Sequence, residues 1–314
     1  MLLPSRSNAN GSRSPGGRLR SLLASGGLVR APGVSDALSA KLVERAGFEA
    51  VHITGGGLAR TLGFPDVGLV TLTEAVSCAR SIAGAVQIPI IADADTGYGN
   101  ALNVIRTVRE FEGAGVAAIH LEDQVTPKRC GHYEGTQLVP TAEMVGKLKA
   151  ACAARSNADI VIIARTDARG VEGFDGAVSR ARAYRAAGAD LLFVEAPETV
   201  DEIRDLVAAI DAPLLINMYS GGKTPIVSVQ DLRGFGYRVV IFPSHLQRAS
   251  IRAMQRALDL LRREDASAAD DPALMVSFRE REATVDFDSV KALEARYLHS
   301  AEFPQSPAAS DLSG

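Results

Sequence analysis

The sequence predicts an α/β protein built as a closed (β/α)8 barrel of the TIM type, and three observations predict it. Eight short apolar runs, "LVRAP", "AVHIT", "IPIIAD", "AAIHLED", "IVIIARTD", "LLFVEAP", "PLLINM" and "VVIFPS", alternate with longer segments of helical character. That alternation is the pattern of parallel strands joined by helices. Four of the helices end in glycine just before the next run, in "ERAGFEAV", "EGAGVAAIH", "RAAGADLLFVE" and "RGFGYRVVIF". A C-cap glycine accounts for each, because a residue without Cβ takes the left-handed position readily. Eight such units within 314 residues fit the size of a closed barrel. An open doubly wound sheet is the alternative architecture.

The third observation is at the strand ends. Thr54 closes the second run, Asp93 and Asp95 the third, and Glu122 and Asp123 the fourth. Arg165 and Asp167 close the fifth, Glu195 the sixth and Asn217 the seventh. In a barrel these ends meet at one mouth, so topology alone gathers them into a carboxylate-rich pocket that contains arginine. Taken alone, Asp167 reads more simply as a helix N-cap.

Composition narrows the class of function. The net charge of −3, with acids and bases interspersed, offers no nucleic-acid or membrane surface and suits a small polar substrate. Three cysteines, Cys78, Cys130 and Cys152, without metal-finger spacing, argue against a disulfide framework and for the cytoplasm. Residues 1–18 are rich in Ser, Gly, Asn and Arg and are expected to be a disordered tail, a transit peptide being the less favoured reading. Residues 19–265 are expected to form the barrel, 266–300 a C-terminal helical segment, and 301–314 a second polar tail.

The strand ends also carry chemistry. "DADTGYGN" sets Asp93 and Asp95 two residues apart before glycines and a helix. With Glu122 and Asp123 they form an oxygen-rich cluster without adjacent thiol or imidazole, which suits Mg²⁺ or Mn²⁺ rather than Zn²⁺; only one carboxylate need touch the ion. A capping loop that solvates its own charges is the other reading. "ITGGG" offers unobstructed backbone N–H groups for a carboxylate or phosphate, or is simply a strand-to-helix turn. Arg165 and Lys128 bring the positive charge that an anionic substrate needs.

Cys130, in "KRCGHYEGTQLVP", has almost no apolar neighbour, whereas Cys78 and Cys152 sit in helix-like apolar segments as structural cysteines do. Lys128, Arg129 and a protonated His132 would lower the Cys130 pKa. A nucleophile or a general acid is its expected role.

In this order, "GVSDALSAKL", "ITGGG", "LGFPD", "DADTGYGN", "LEDQ", "KRCGH", "IARTDA", "FVEAPE" and "NMYSGGKTP" resemble the isocitrate lyase and phosphoenolpyruvate mutase superfamily, from about Arg18 to Leu298. The resemblance is strongest to the 2-methylisocitrate lyase and 2,3-dimethylmalate lyase type. It implies a barrel whose C-terminal helix is exchanged between subunits, a homotetramer built as a dimer of dimers, and Mg²⁺ at the mouth. It implies Asp93 as direct metal ligand, with Asp95, Glu122 and Asp66 around its water shell. Thr54, Gly55 and Gly56 would grip the keto-acid part of the substrate, and Arg165 its other carboxylate. Cys130 would protonate the carbanion, Lys128, Gly131 and His132 would belong to the gating loop, Glu195 and Asn217 would line the pocket, and Thr224 and Pro225 complete the motif after the seventh strand. Members that cleave methylisocitrate typically carry tyrosine and serine where this chain has His52 and Thr54.

The function expected is Mg²⁺-dependent C–C cleavage of a 2-hydroxy di- or tricarboxylate, giving pyruvate or glyoxylate and a second acid. The alternatives are a carboxyphosphonoenolpyruvate phosphonomutase, an oxaloacetate hydrolase or decarboxylase, and a non-catalytic binding protein on an inherited barrel.

Overall fold

All eight apolar runs form strands: β1 (Val29–Val34), β2 (Val51–Ile53), β3 (Ile90–Asp93), β4 (Ala118–Glu122), β5 (Val161–Thr166), β6 (Leu191–Val194), β7 (Leu214–Asn217) and β8 (Val239–Phe242). The computed structural model describes residues 14–129, 131, 135–263 and 272–298. The strands pair in parallel in chain order, and β1 pairs with β8 from Val29 and Val239 to Pro32 and Phe242, so the sheet closes as predicted. Gly33 lets it close: a Cβ there would lie 2.5 Å from Pro243 Cα.

The helices are α1 (Pro15–Ala24), α2 (Ala37–Arg45), α3 (Gly55–Thr61), α4 (Leu72–Ala83), α5 (Ala101–Ala114), α6 (Thr141–Ala154), α7 (Arg169–Ala186), α8 (Val200–Ala209), α9 (Val229–Phe235), α10 (His245–Arg262), α11 (Phe278–Thr284) and α12 (Phe287–Tyr297). Thr54, Thr71 and Asn100 cap α3, α4 and α5 through their side chains. Gly115 and Gly236 end α5 and α9 in the left-handed conformation expected of them.

Two-residue alternation along the strands divides the core. Ile162 and Ala164 of β5 face the helices, whereas Val161 and Ile163 pack inside the barrel with Ile91, Ala118, Leu191, Leu215 and Val239. One more step along each inward row reaches Asp93, His120 and then Glu122, Arg165, Glu195 and Asn217. The apolar plug therefore ends where the polar ring begins.

The N-terminal expectation needs a correction. Residues 14–18 do not belong to an irregular tail: Ser14 accepts from Gly17 N at 3.0 Å and α1 starts at Pro15. Proline suits the first helical position, and Gly16 lies so close to the Asp159 backbone that a Cβ would sit 2.5 Å from its carbonyl carbon. The glycines taken as a sign of disorder serve this close approach, and Leu19, 1 % exposed, joins the barrel interior from below. At the other end, α10 buries none of its residues, and Asp286, just before α12, pairs with Lys41 and Arg45 of α2 at 2.6 and 2.8 Å.

Candidate active site

The mouth of the barrel opens into a cavity of about 190 Å³. From the early strands it is walled by His52, Thr54, Gly56, Asp66 and Asp93, and from the later ones by His120, Lys128, Arg165, Glu195 and Asn217. Gly131 lies over it: a Cβ there would meet Arg165 Nη2 at 2.7 Å. Eleven of the site residues read from the sequence thus meet here or directly behind, since Gly55 N donates to Asp93 Oδ2 at 3.2 Å and Glu122 lies 3.2 Å from Arg165 Nη1. Asp95 joins them through Lys128, at 3.1 Å. Thr224 is buried but does not line the cavity, and its hydroxyl finds no partner among the described residues. Cys130 and His132 lie outside the described residues.

Asp93 is the best prepared carboxylate. Its Oδ1 accepts from Asp95 N at 2.9 Å, a contact made possible because β3 stops at Asp93 and Asp95 turns back with φ 47°. Burial works against its charge, but His120, Lys128 and Arg165 outweigh it and hold the carboxyl well below the ordinary range. Burial pushes Asp95 up to about 6 despite Lys128, and lifts Glu122 well above the usual value despite Arg165.

The cations are heavily engaged. Lys128 Nζ reaches Asp66 Oδ1 at 2.6 Å as well as Asp95. Arg165 forms a two-point pair with Asp167, 3.0 and 2.7 Å, and faces Glu122 and Glu195 at 3.2 and 3.5 Å. Four acids keep the buried Lys128 protonated, and Asp167, Glu122 and Glu195 do the same for Arg165. Five carboxylates, Asp66, Asp95, Glu122, Asp167 and Glu195, pair with these two cations, and a sixth, Asp93, stands beside His120 within the field of both.

That excess of acid fits a hard divalent cation. Among the described residues neither oxygen of the fully buried Glu122 accepts a hydrogen bond, and beyond the Arg165 guanidinium at 3.2 Å a buried carboxylate in this state is costly unless a further charge or a bound water answers it. Among the described residues no three His, Cys, Asp or Glu side chains stand close enough to hold an ion by themselves. The donor set therefore suits an ion that takes one or two carboxylates and keeps water, as Mg²⁺ does.

Two expectations about strand-end acids change. Asp167 is not the cap of α7, which starts after Ala168; it holds Arg165. Asp123 faces away from the mouth, where it accepts from Thr166 Oγ1 and Tyr184 Oη, each at 2.7 Å, and from Arg180 Nη1 at 3.3 Å. Glu122 points in, so its neighbour in the strand must point out. Cys78 and Cys152 are structural as expected, their thiols directed at the Ser35 and Gly188 carbonyls at 3.3 Å.

His120 was missed, and with it a buried imidazole pair. His52 and His120 approach Nε2 to Nε2 at 3.0 Å, and His120 Nδ1 stands 3.5 Å from Asp93 Oδ1. Burial holds both rings neutral, with pKa values lowered to about 3 and about 4. Between two neutral rings one Nε2 must donate and the other accept, so the two tautomers are linked. The available signal was the inward position of each histidine in its strand. Arg60, Tyr219, Gln247 and Arg248, from helices and loops at the outer rim, were missed as well.

Comparison with known proteins agrees with this geometry. The profile of the phosphoenolpyruvate phosphomutase family matches residues 19–262. The chain is 45% identical over 281 residues to a 2,3-dimethylmalate lyase of Eubacterium barkeri, covering 89% of this chain and 97% of that one. It is 49% identical over 244 residues to a 2-methylisocitrate lyase of Aeropyrum pernix, covering 78% and 79%. The crystal structure of a 2,3-dimethylmalate lyase, a member of the PEP mutase/isocitrate lyase superfamily, superposes with a TM-score of 0.87 at 35% identity, covering 92% of this chain and 97% of that one. A phosphonopyruvate hydrolase solved with oxalate and Mg²⁺ superposes with a TM-score of 0.83 at 34% identity, covering 91% and 100%. No helix among the described residues is long and apolar enough to cross a membrane.

Proposed function

Because the chain belongs to the phosphoenolpyruvate phosphomutase family, we propose that it is a Mg²⁺-dependent carbon–carbon lyase that cleaves a 2-hydroxy di- or tricarboxylate to pyruvate or glyoxylate and a second carboxylic acid. The observation that carries this reading is the ring of six carboxylates around two cations, in which Glu122 accepts no hydrogen bond among the described residues. It is supported by the lyase names of the relatives at 45% and 49% identity.

Asp93 would hold the ion, with Asp95, Glu122 and Asp66 around its water shell. The ion would supply Lewis acidity to the oxygens of the keto acid, in line with the Mg²⁺ and oxalate of the related hydrolase. Thr54 and the backbone of Gly55 and Gly56 bind the keto-acid portion. Arg165, fixed in direction by Asp167, faces the departing carboxylate, and Glu195 and Asn217 complete that wall. A base removes the proton of the 2-hydroxyl, the C2–C3 bond breaks, and its electron pair passes to the departing carbon. The Cys130 thiol protonates that carbon from the loop that also carries Lys128, Gly131 and His132, and closure of the loop excludes water. The position of Gly131, where a Cβ would lie 2.7 Å from Arg165 Nη2, supports a loop that closes over the cavity.

We place the enzyme in the cytoplasm as a homotetramer with the C-terminal helix exchanged between subunits. In support, α10 exposes Ile251, Met254, Leu258 and Leu261 in one row. Light scattering should give four times the chain mass.

The test is turnover of a panel of 2-hydroxy acids scored for pyruvate against glyoxylate, with oxaloacetate and phosphonopyruvate included, before and after chelation. On the best substrate, Cys130→Ser should lower kcat by roughly 10²- to 10⁴-fold, the range of a positioned acid, with a much smaller change in KM. A serine variant within a few-fold of wild type removes the general acid and turns the reading toward phosphonate or oxaloacetate chemistry.

A further inference from the structure

Lys147 of α6 is a buried lysine outside the barrel mouth. Its Nζ donates to Thr96 O at 3.2 Å, while the carboxylate it pairs with, Glu143 on the same helix, stands 3.8 Å away and half exposed. Burial lowers its pKa and Glu143 restores only part of the loss. An ammonium group in such a place is costly unless its one close contact matters. That contact is with the turn that carries the acids of the mouth. Asp95, Gly97, Tyr98 and Gly99 have positive φ, at 47°, 85°, 60° and 145°, and two of them are not glycine. Residues with a Cβ disfavour this conformation, so the surroundings must hold the turn. They do so at three successive carbonyls, each answered from a different element. Asp95 O accepts from Glu122 N of β4 at 2.9 Å, Thr96 O from Lys147 of α6, and Gly97 O from Thr107 Oγ1 of α5 at 3.0 Å. The first is a backbone contact that continues the pairing of β3 with β4; the other two depend on buried side chains. With its carbonyls fastened outward, the turn directs Asp95 N to Asp93 Oδ1 at 2.9 Å and the Asp95 carboxylate to Lys128 at 3.1 Å.

We propose that Lys147 and Thr107 are positioning residues for the divalent ion: from behind the barrel they hold the Asp93–Asp95 turn in the shape that presents Asp93 to the metal. The inference rests on the reading of Asp93 as metal ligand. It carries a sign that separates it from plain electrostatics. As a bare charge, the Lys147 ammonium repels a nearby cation, and its removal would tighten metal binding. As the fastener of Thr96 O, it spares the ion the cost of ordering a strained turn, and its removal weakens metal binding. The second effect prevails, because the charge is already engaged by a carbonyl and by Glu143, whereas outer partners that orient a metal ligand commonly carry 10-fold or more of the affinity.

Titration of the full, metal-free chain reads this directly, with Mg²⁺ by calorimetry and with Mn²⁺ by loss of the free-ion electron spin resonance signal. Asp93→Ala serves as the variant that lacks the site. Lys147→Met, close in length but without charge or donor, should weaken both ions about 10-fold. Thr107→Val, of the same shape and neutral like the residue it replaces, should weaken them about 3-fold, the scale of one neutral hydrogen bond. Lys147→Arg keeps a donor for Thr96 O and should recover most of the loss, which a lysine that merely fills space would not explain. Lys147→Met binding Mg²⁺ as tightly as wild type, or more tightly, overturns the proposal and leaves Lys147 a remote charge. Lys147→Arg binding no better than Lys147→Met overturns it as well. Wild type and Asp93→Ala binding alike is a different failure: Asp93 is then not the ligand, and the metal reading falls and takes the inference with it.

Discussion

Both ends of the barrel carry buried or half-buried charges, and they use them in opposite ways. At the floor, Arg20 donates to the Ala158, Asp159 and Ile160 carbonyls and pairs with Asp190 at 3.0 Å, while Arg155 meets the other oxygen of Asp190 at 2.8 Å. Arg30 and Glu49 pair at 2.6 Å on the same side. Every carboxylate of this group has its cation, and water reaches the edges. At the mouth six acids crowd two cations, and Glu122 accepts no hydrogen bond among the described residues, with only the Arg165 charge at 3.2 Å to answer it. Such an arrangement costs stability and is retained where a ligand completes it. The difference assigns folding to the floor and chemistry to the mouth.

The largest effect expected from breaking this contrast is at Asp93. Asp93→Ala removes one of the crowded acids, so the fold should survive with an unchanged or raised melting temperature, while activity falls by about 10³-fold or more, the loss of several kcal/mol of Lewis-acid stabilisation. Circular dichroism beside a turnover assay checks it; an unfolded variant would make Asp93 a structural residue.

Asp123 sharpens the boundary, since it adjoins Glu122 in sequence and faces the other way. Asp123→Ala would strand Arg180, Tyr184 and Thr166 in a buried space, so a loss of about 3 kcal/mol or more in urea unfolding is expected. Unfolding with wild-type stability would show that this network carries nothing.

At the floor, Leu19→Ala should destabilise by about 2 to 3 kcal/mol through the cavity it leaves, without altering kcat below the melting transition. A kcat that falls in parallel would mean the two ends are coupled.

The smallest effect is at Glu49. Burial raises its pKa, but the hydrogen bond from Arg30 outweighs this and the carboxyl titrates below its ordinary value. A group depressed in the folded state stabilises above its unfolded pKa of about 4.3 and loses that contribution as pH falls through the folded value. About a third of each side chain is exposed, so screening limits the pair to about 0.5 kcal/mol. Glu49→Gln should melt slightly below wild type at pH 7 and the difference should vanish near pH 3; a difference that persists at pH 3 contradicts the ion-pair origin.

The eight units, their order and the closing of the barrel were legible in the sequence because each rests on local periodicity and on glycine at helix ends, both properties of neighbours in the chain. The polar ring at the strand ends was legible for the same reason, as were Asp93, Glu122 and Arg165 within it. The same two-residue period, followed one step further, separates Glu122 from Asp123 and marks His52 and His120 as inward. What only the tertiary structure decided is which charges answer each other. Lys128 meets Asp66 and Asp95 across 62 and 33 residues of chain, and Arg165 is surrounded by acids from three strands. Arg60 and Arg248 reach the rim from helices far apart in the chain, and among the described residues neither pairs with an acid. Partnership across a closed sheet depends on which strands become neighbours and how far each turn projects, and a linear pattern of residues contains neither distance.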